Sequence, residues 1–151
     1  MASDTLQSGV PASTLDSVVG LLRSLIEEMD AGLLRRAEYY YTASTFDDFL
    51  DHAKDFHSRG RKSEAAVLAS AVFEDAVRKT AEKHDIAQAG VSLEQIIDGL
   101  VKAGALTPVK AKRWKAHAGV RNSALHAQWD GIELPDIGEL IRGTREIIND
   151  L

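Results

Sequence analysis

The sequence predicts an almost wholly helical domain, a compact bundle of five to six helices. Three observations predict it. Apolar residues recur at spacings of three and four over long stretches, no run alternates in the manner of a strand, and only three prolines interrupt the 151 residues. A chain of this length supports one domain, burying roughly two thirds of its unfolded surface. Residues 14–151 are therefore expected to form a single helical domain behind a polar, aperiodic and disordered tail at 1–13.

The elements follow from local signals. Ser13 or Thr14 opens the first helix, its hydroxyl capping the exposed amides. Leu15, Val18, Val19, Leu22, Leu25, Ile26 and Met29 form the apolar stripe of that helix, which extends past Gly32 to Tyr41. A second helix at 45–57 starts at the hydroxyl of Thr45, turns Phe46, Phe49, Leu50, Ala53 and Phe56 inward, and ends at Ser58-Arg59-Gly60. The third, at 62–84, is apolar over most of its circumference between Ala65 and Val77 and is expected to be the central helix. After a loop at 85–91, Ser92 and Gln95 form a capping box for a short helix that reaches Val101 and is stopped by Gly104. Thr107-Pro108 starts the fifth helix, with proline fixed in its first turn. A turn at Gly131 leads to a last helix at 135–149.

The fifth helix carries the chemistry. Between Val101 and His126 stand six cations (Lys102, Lys110, Lys112, Arg113, Lys115, Arg121) and no carboxylate, whereas residues 14–55 are predominantly acidic. The net charge of −5 argues against a protein that coats nucleic acid indiscriminately, because such binding needs a broadly basic surface. A molecule polarised in this way can still bind a polyanion on one face. Lys110, Lys112, Arg113, Lys115 and His117 are the candidate RNA contacts, although each also reads as part of a solvated helix face.

At the end of that segment lies Arg121-Asn122-Ser123-Ala124-Leu125-His126. Cleavage of a phosphodiester by its neighbouring 2′-hydroxyl needs a base, an acid for the leaving 5′-oxygen, and positive charge on the phosphorane oxygens. His126 suits proton transfer near neutral pH. Arg121 suits the phosphate, since a guanidinium fork grips two oxygens at once. Asn122 orients His126 or donates to a non-bridging oxygen. With one histidine per copy, acid and base at one phosphate call for two copies. Gly119, among Ala116, Ala118, Ala124 and Ala127, permits close approach of a twofold mate. The expected assembly is a homodimer.

These residues resemble the HEPN superfamily, whose hallmark is an arginine followed after four to six residues by a histidine, with a polar residue directly after the arginine. The likeness covers residues 45–149, taking in 65–69, Phe73-Glu74-Asp75-Ala76-Val77-Arg78 and the motif with Ala127 and Trp129 after it. It implies a helical dimer acting as a metal-independent endoribonuclease, often a toxin or defence effector under the control of an antitoxin or other regulator. It also implies that an acidic residue of the central helix steadies Arg121, Glu74 being the match and Asp75 the weaker one, with Ser70 on the same polar stripe.

Other features have plainer readings. Trp114 and Trp129 read as packing or dimer anchors, and Tyr39-Tyr40-Tyr41 as core plus dimer rim. His52 and His57 near Asp47, Asp48, Asp51 and Asp55 read as the wet face of an amphipathic helix, so no metal site and no cofactor are expected. The absence of cysteine excludes disulfides and zinc–thiolate sites. With neither a signal-peptide pattern nor a membrane-length apolar run, a cytoplasmic protein is expected. Two rival readings stay open at this level: a non-catalytic module binding a nucleotide, RNA or protein through the basic cleft, and a helical adaptor working through its first helix.

Overall fold

The computed structural model describes residues 12–151, and the side chains of all of these except 28–41. Among the described residues five α-helices run in order: α1 (Ala12–Ser58), α2 (Lys62–Lys83), α3 (Leu93–Lys102), α4 (Pro108–Leu125) and α5 (Leu134–Asn149), with a 3-10 turn at Trp129–Gly131 between the last two. No strand occurs among the described residues. The chain divides into two compact units at 40/41.

α1 corrects the expected pair of helices. It passes through Gly32 and Thr45 without a break, and it starts at Ala12, inside the segment read as tail. The reason is local: residues 42–45, Thr-Ala-Ser-Thr, contain neither glycine nor proline, and a hydroxyl that can cap a helix does not by itself interrupt one. The readings of Met29, of Tyr39-Tyr40-Tyr41 and of residues 1–11 lie outside the described residues.

In the first unit, the apolar stripe of α1 is open. Leu15, Val18, Val19, Leu22, Leu25 and Ile26 are each between 46% and 57% exposed.

In the second unit, α2 is the central helix, as its nearly all-round apolar sequence predicts. It packs against α3, α4 and α5, while α4 also meets α3 and α5. Its own buried set is mostly small, Ala65, Ala66, Ala69, Ala76 and Ala81, around the fully buried Phe73 and Val77. Small side chains let the neighbouring helices approach closely. The end of α1 adds Phe46, Leu50 and Ala53 to the core, but Phe49 is 45% exposed and Phe56 only half-buried. From α3 come Ile96, Ile97 and Leu100, and from α5 Ile137, Leu140 and Ile147. Trp114 is buried, and Trp129 packs against the core from its edge.

The caps follow the sequence signals. Ser92 N donates to Gln95 Oε1 at 2.9 Å while Gln95 N donates to Ser92 Oγ at 3.2 Å. Thr107 Oγ1 accepts from Lys110 N at 3.3 Å ahead of Pro108. Gly60 and Gly104 both sit at φ +73°, the left-handed geometry that closes a helix C-terminus without a Cβ penalty. Among the described residues no helix is long and apolar enough to cross a membrane.

Candidate functional site

Glu74 lies in the middle of α2 and Arg121 in the last turn of α4, 47 positions apart in sequence and in direct contact. Arg121 Nε and Nη2 donate to Glu74 Oε2 at 2.8 and 2.5 Å. The other carboxylate oxygen, Oε1, accepts from Arg78 Nε and Nη2, both at 3.0 Å. One carboxylate thus holds two guanidiniums. Its side chain and that of Arg121 are each 22% exposed. Burial pushes the Glu74 carboxyl upward, but the hydrogen bonds and charges of Arg121 and Arg78 outweigh it, and the net shift is below the usual glutamate value.

Arg121 is therefore fixed, though not fully used. Its Nη1 donates to Asn122 Oδ1 at 3.0 Å. Of five N–H groups on a guanidinium, three are engaged and two are left for an anion. Asn122, being an acceptor toward Arg121, keeps its amide N–H groups for another partner. Those N–H groups are the ones left for either expected role, orienting His126 or donating to a non-bridging oxygen.

His126 stands at the C-cap of α4, just past its last helical residue. Its backbone N–H donates to Asn122 O at 3.2 Å, and its ring is exposed without a hydrogen bond among the described residues. Ala127 follows at φ +53°, a left-handed conformation that costs a residue with a Cβ about 1 kcal/mol or more. It is held there by Ala127 N donating to Ala124 O at 3.1 Å and Gln128 N to Ser123 O at 2.8 Å. The chain turns away sharply after the motif, and the imidazole is left in solvent next to the fixed arginine's turn.

Of the other residues expected at the site, Ser70 lines the same cavity as Glu74 and Arg121. Asp75 does not join it. It is exposed, lines a separate hollow with Thr42, Phe46 and Lys79, and its carboxyl is pushed up by burial and by the charge of Glu74. Successive helix positions diverge by about 100°, so only one of the two acids can face Arg121.

The basic segment is less basic in three dimensions than in sequence. Lys110 pairs with Asp150 at 3.7 Å, and Lys115 with Asp98 of α3 at 2.7 Å. Lys112 stands nine residues from Arg121, half a turn around α4, and therefore faces the opposite side of that helix. Arg113 is exposed on a third side. His117, expected as an RNA contact, is a packing residue: its ring meets Phe73 edge-on at a centroid distance of 5.7 Å and lies directly over Gly143. Burial holds its pKa below the usual histidine value, with Arg113 pushing the same way and Glu146 opposing. The six cations do not make one face.

Arg78, which stands with Ser70 and Glu74 on the polar stripe of α2, belongs to the site through its bonds to Glu74. The signal was present, since Glu74 and Arg78 are four apart on a helix and so share a face. Asp47 and Asp51, beside the histidines of α1, hold Arg145 at 2.8 Å each. His57 Nε2 bonds Leu134 O at 2.8 Å.

The fold and the site together define an all-helical domain carrying a carboxylate-anchored arginine five positions before an exposed histidine. Comparison of the chain with family models, curated proteins and solved structures finds no match.

Proposed function

We propose that this chain is a HEPN-like, metal-independent endoribonuclease whose site is completed in a cytoplasmic homodimer. The observation that supports the reading best is the Glu74–Arg121 pair. It holds a guanidinium rigidly by one edge, with two N–H groups unused, in the turn that precedes an unpaired imidazole. A phosphate seated on Arg121 would have its developing negative charge stabilised by a donor that needs no rearrangement. Neutral His126 takes the proton of the 2′-hydroxyl. The 5′-oxygen leaves with a proton from His126 of the partner subunit, and Asn122 donates its amide N–H to a non-bridging oxygen. A toxin or defence role under an antitoxin-like regulator accords with this reading.

The test is cleavage of total RNA and tRNA in EDTA by wild type and His126→Ala, both checked for dimerisation. Loss of a general acid–base group lowers the rate by about 10²–10⁴-fold, and the products of wild type should end in 2′,3′-cyclic phosphates. A dimeric wild type that cuts nothing would transfer the proposal to the binding module, for which His126→Ala leaves RNA affinity nearly unchanged.

A second reading, the helical adaptor, is favoured by one observation: the six half-exposed aliphatic side chains of the stripe from Leu15 to Ile26. Under it, the chain is monomeric in isolation, and Leu22→Glu abolishes its binding partner's capture while leaving the fold intact.

A further inference from the structure

Between α2 and the last turn of α4 lies a cavity of about 330 Å3. Its walls are aliphatic, Val67 and Ala71 from α2 and Ala124 and Leu125 from α4, with Glu74 and Arg121 beside them. Val67 is 52% exposed and Leu125 64%, so the rim is open. Ser70 also lines the cavity. It is only 6% exposed, and its Oγ is the one buried side-chain polar atom among the described residues without a hydrogen-bond partner.

Helix geometry does not impose that state. Thr80 on the same helix donates to Ala76 O at 2.9 Å, and Thr144 on α5 donates to Leu140 O at 2.7 Å, the bond to the preceding turn that a helical hydroxyl takes when nothing else is offered. Ser70 does not take the corresponding bond. A buried hydroxyl left unpaired beside a cavity is unusual enough to require an occupant or an explanation.

We propose that this cavity is a nucleobase subsite: it receives the base of the nucleotide whose phosphate lies on Arg121, and Ser70 hydrogen-bonds the edge of that base. The identity of the polymer rests on the ribonuclease reading, whereas the subsite itself does not depend on cutting. The volume is at the lower end of ligand pockets, with room for one nucleoside rather than a longer segment. A flat ring suits aliphatic walls on two helices, and its polar edge needs one partner in an otherwise apolar floor. A hydroxyl, both donor and acceptor, supplies that partner for any base. The two unused N–H groups of Arg121 supply the anion contact at the same mouth. An aliphatic side chain from a second copy would fill the same walls but leave both Ser70 and Arg121 unsatisfied.

Isothermal titration of the full chain with the four nucleoside 3′-monophosphates, and with inorganic phosphate as a probe of Arg121 alone, tests this. At least one nucleotide should bind tenfold or more tightly than phosphate. Ser70→Ala should lose about tenfold in nucleotide affinity, the scale of one hydrogen bond, with phosphate affinity unchanged and the melting temperature no lower. Equal nucleotide affinity in wild type and Ser70→Ala overturns the proposal, as does binding no better than phosphate. A Ser70→Ala change that shifts the monomer–dimer equilibrium without touching nucleotide affinity also overturns it, in favour of a second copy. RNA that stays intact while nucleotide binding remains Ser70-dependent supports the subsite and counts against the nuclease alone.

Discussion

Replacing Glu74 by glutamine removes a charge and leaves the shape of the side chain, so the outcome isolates what one carboxylate does between two arginines. Four N–H contacts end on it, all between 2.5 and 3.0 Å. Hydrogen bonds to charged groups contribute about 1.5–3 kcal/mol each when fully formed. Glutamine keeps one acceptor for one arginine, and solvent that still reaches the cluster screens the remainder. The expected loss at pH 7 is about 2 kcal/mol, which for a chain of this size lowers the melting temperature by about 4–8 °C. The pH dependence gives a second readout. The folded carboxyl titrates below its ordinary value of 4.5. Its stabilisation is complete above that value and disappears as pH falls through the lower folded value. Wild type and Glu74→Gln should therefore differ fully at neutral pH and converge in acid. Urea unfolding at pH 7 and at stepped acid pH measures both. A Glu74→Gln protein within about 0.5 kcal/mol of wild type at pH 7, or a gap that persists unchanged into acid, would refute the account of a shared anchor.

Two further outcomes can be checked in the same unfolding experiments. In Gly143→Ala the new Cβ collides with the His117 ring, which must leave its place against Phe73; a loss of about 1–3 kcal/mol is expected, and much of it should return when His117→Ala is added. Because the folded pKa of His117 lies below the ordinary 6.5, the unfolded chain takes up the proton first, so wild-type stability falls as pH drops from about 6.5 toward the lower folded value. His117→Leu should flatten that part of the profile, and an unaltered slope would assign it to other groups.

Where a signal was local, the sequence was legible. Ser92 with Gln95, Thr107 with Pro108, and the glycines at 60 and 104 marked helix ends because each makes its bond within a few residues. The all-round apolar run of α2 revealed a central helix because only a helix covered by others can be apolar on most sides. The continuity of α1 was misread at Thr45, since a cap signal has meaning only where the helix has another reason to stop. At the site, Glu74 was chosen over Asp75 on resemblance, and the contact to Arg121 places Glu74 there. His117 was misplaced because nothing near it in sequence announces Gly143, the residue whose missing side chain makes room for its ring. The basic segment was over-read for the same reason: Asp98 and Asp150 are distant in sequence from the lysines they neutralise.

Those two ion pairs govern how a polyanion would come to this protein. The chain as a whole repels one, with a net charge of −5, and the paired lysines project little attraction into solvent. At physiological ionic strength fields between exposed charges fade within about 8 Å, so the pull on a distant strand would be weak. Under the proposed reading, a strand would be held only once a phosphate reached the unpaired edge of Arg121. Selection would then fall to segments thin and mobile enough to reach it, such as ends, bulges and loops, and a stiff duplex passing at a nanometre would be left alone.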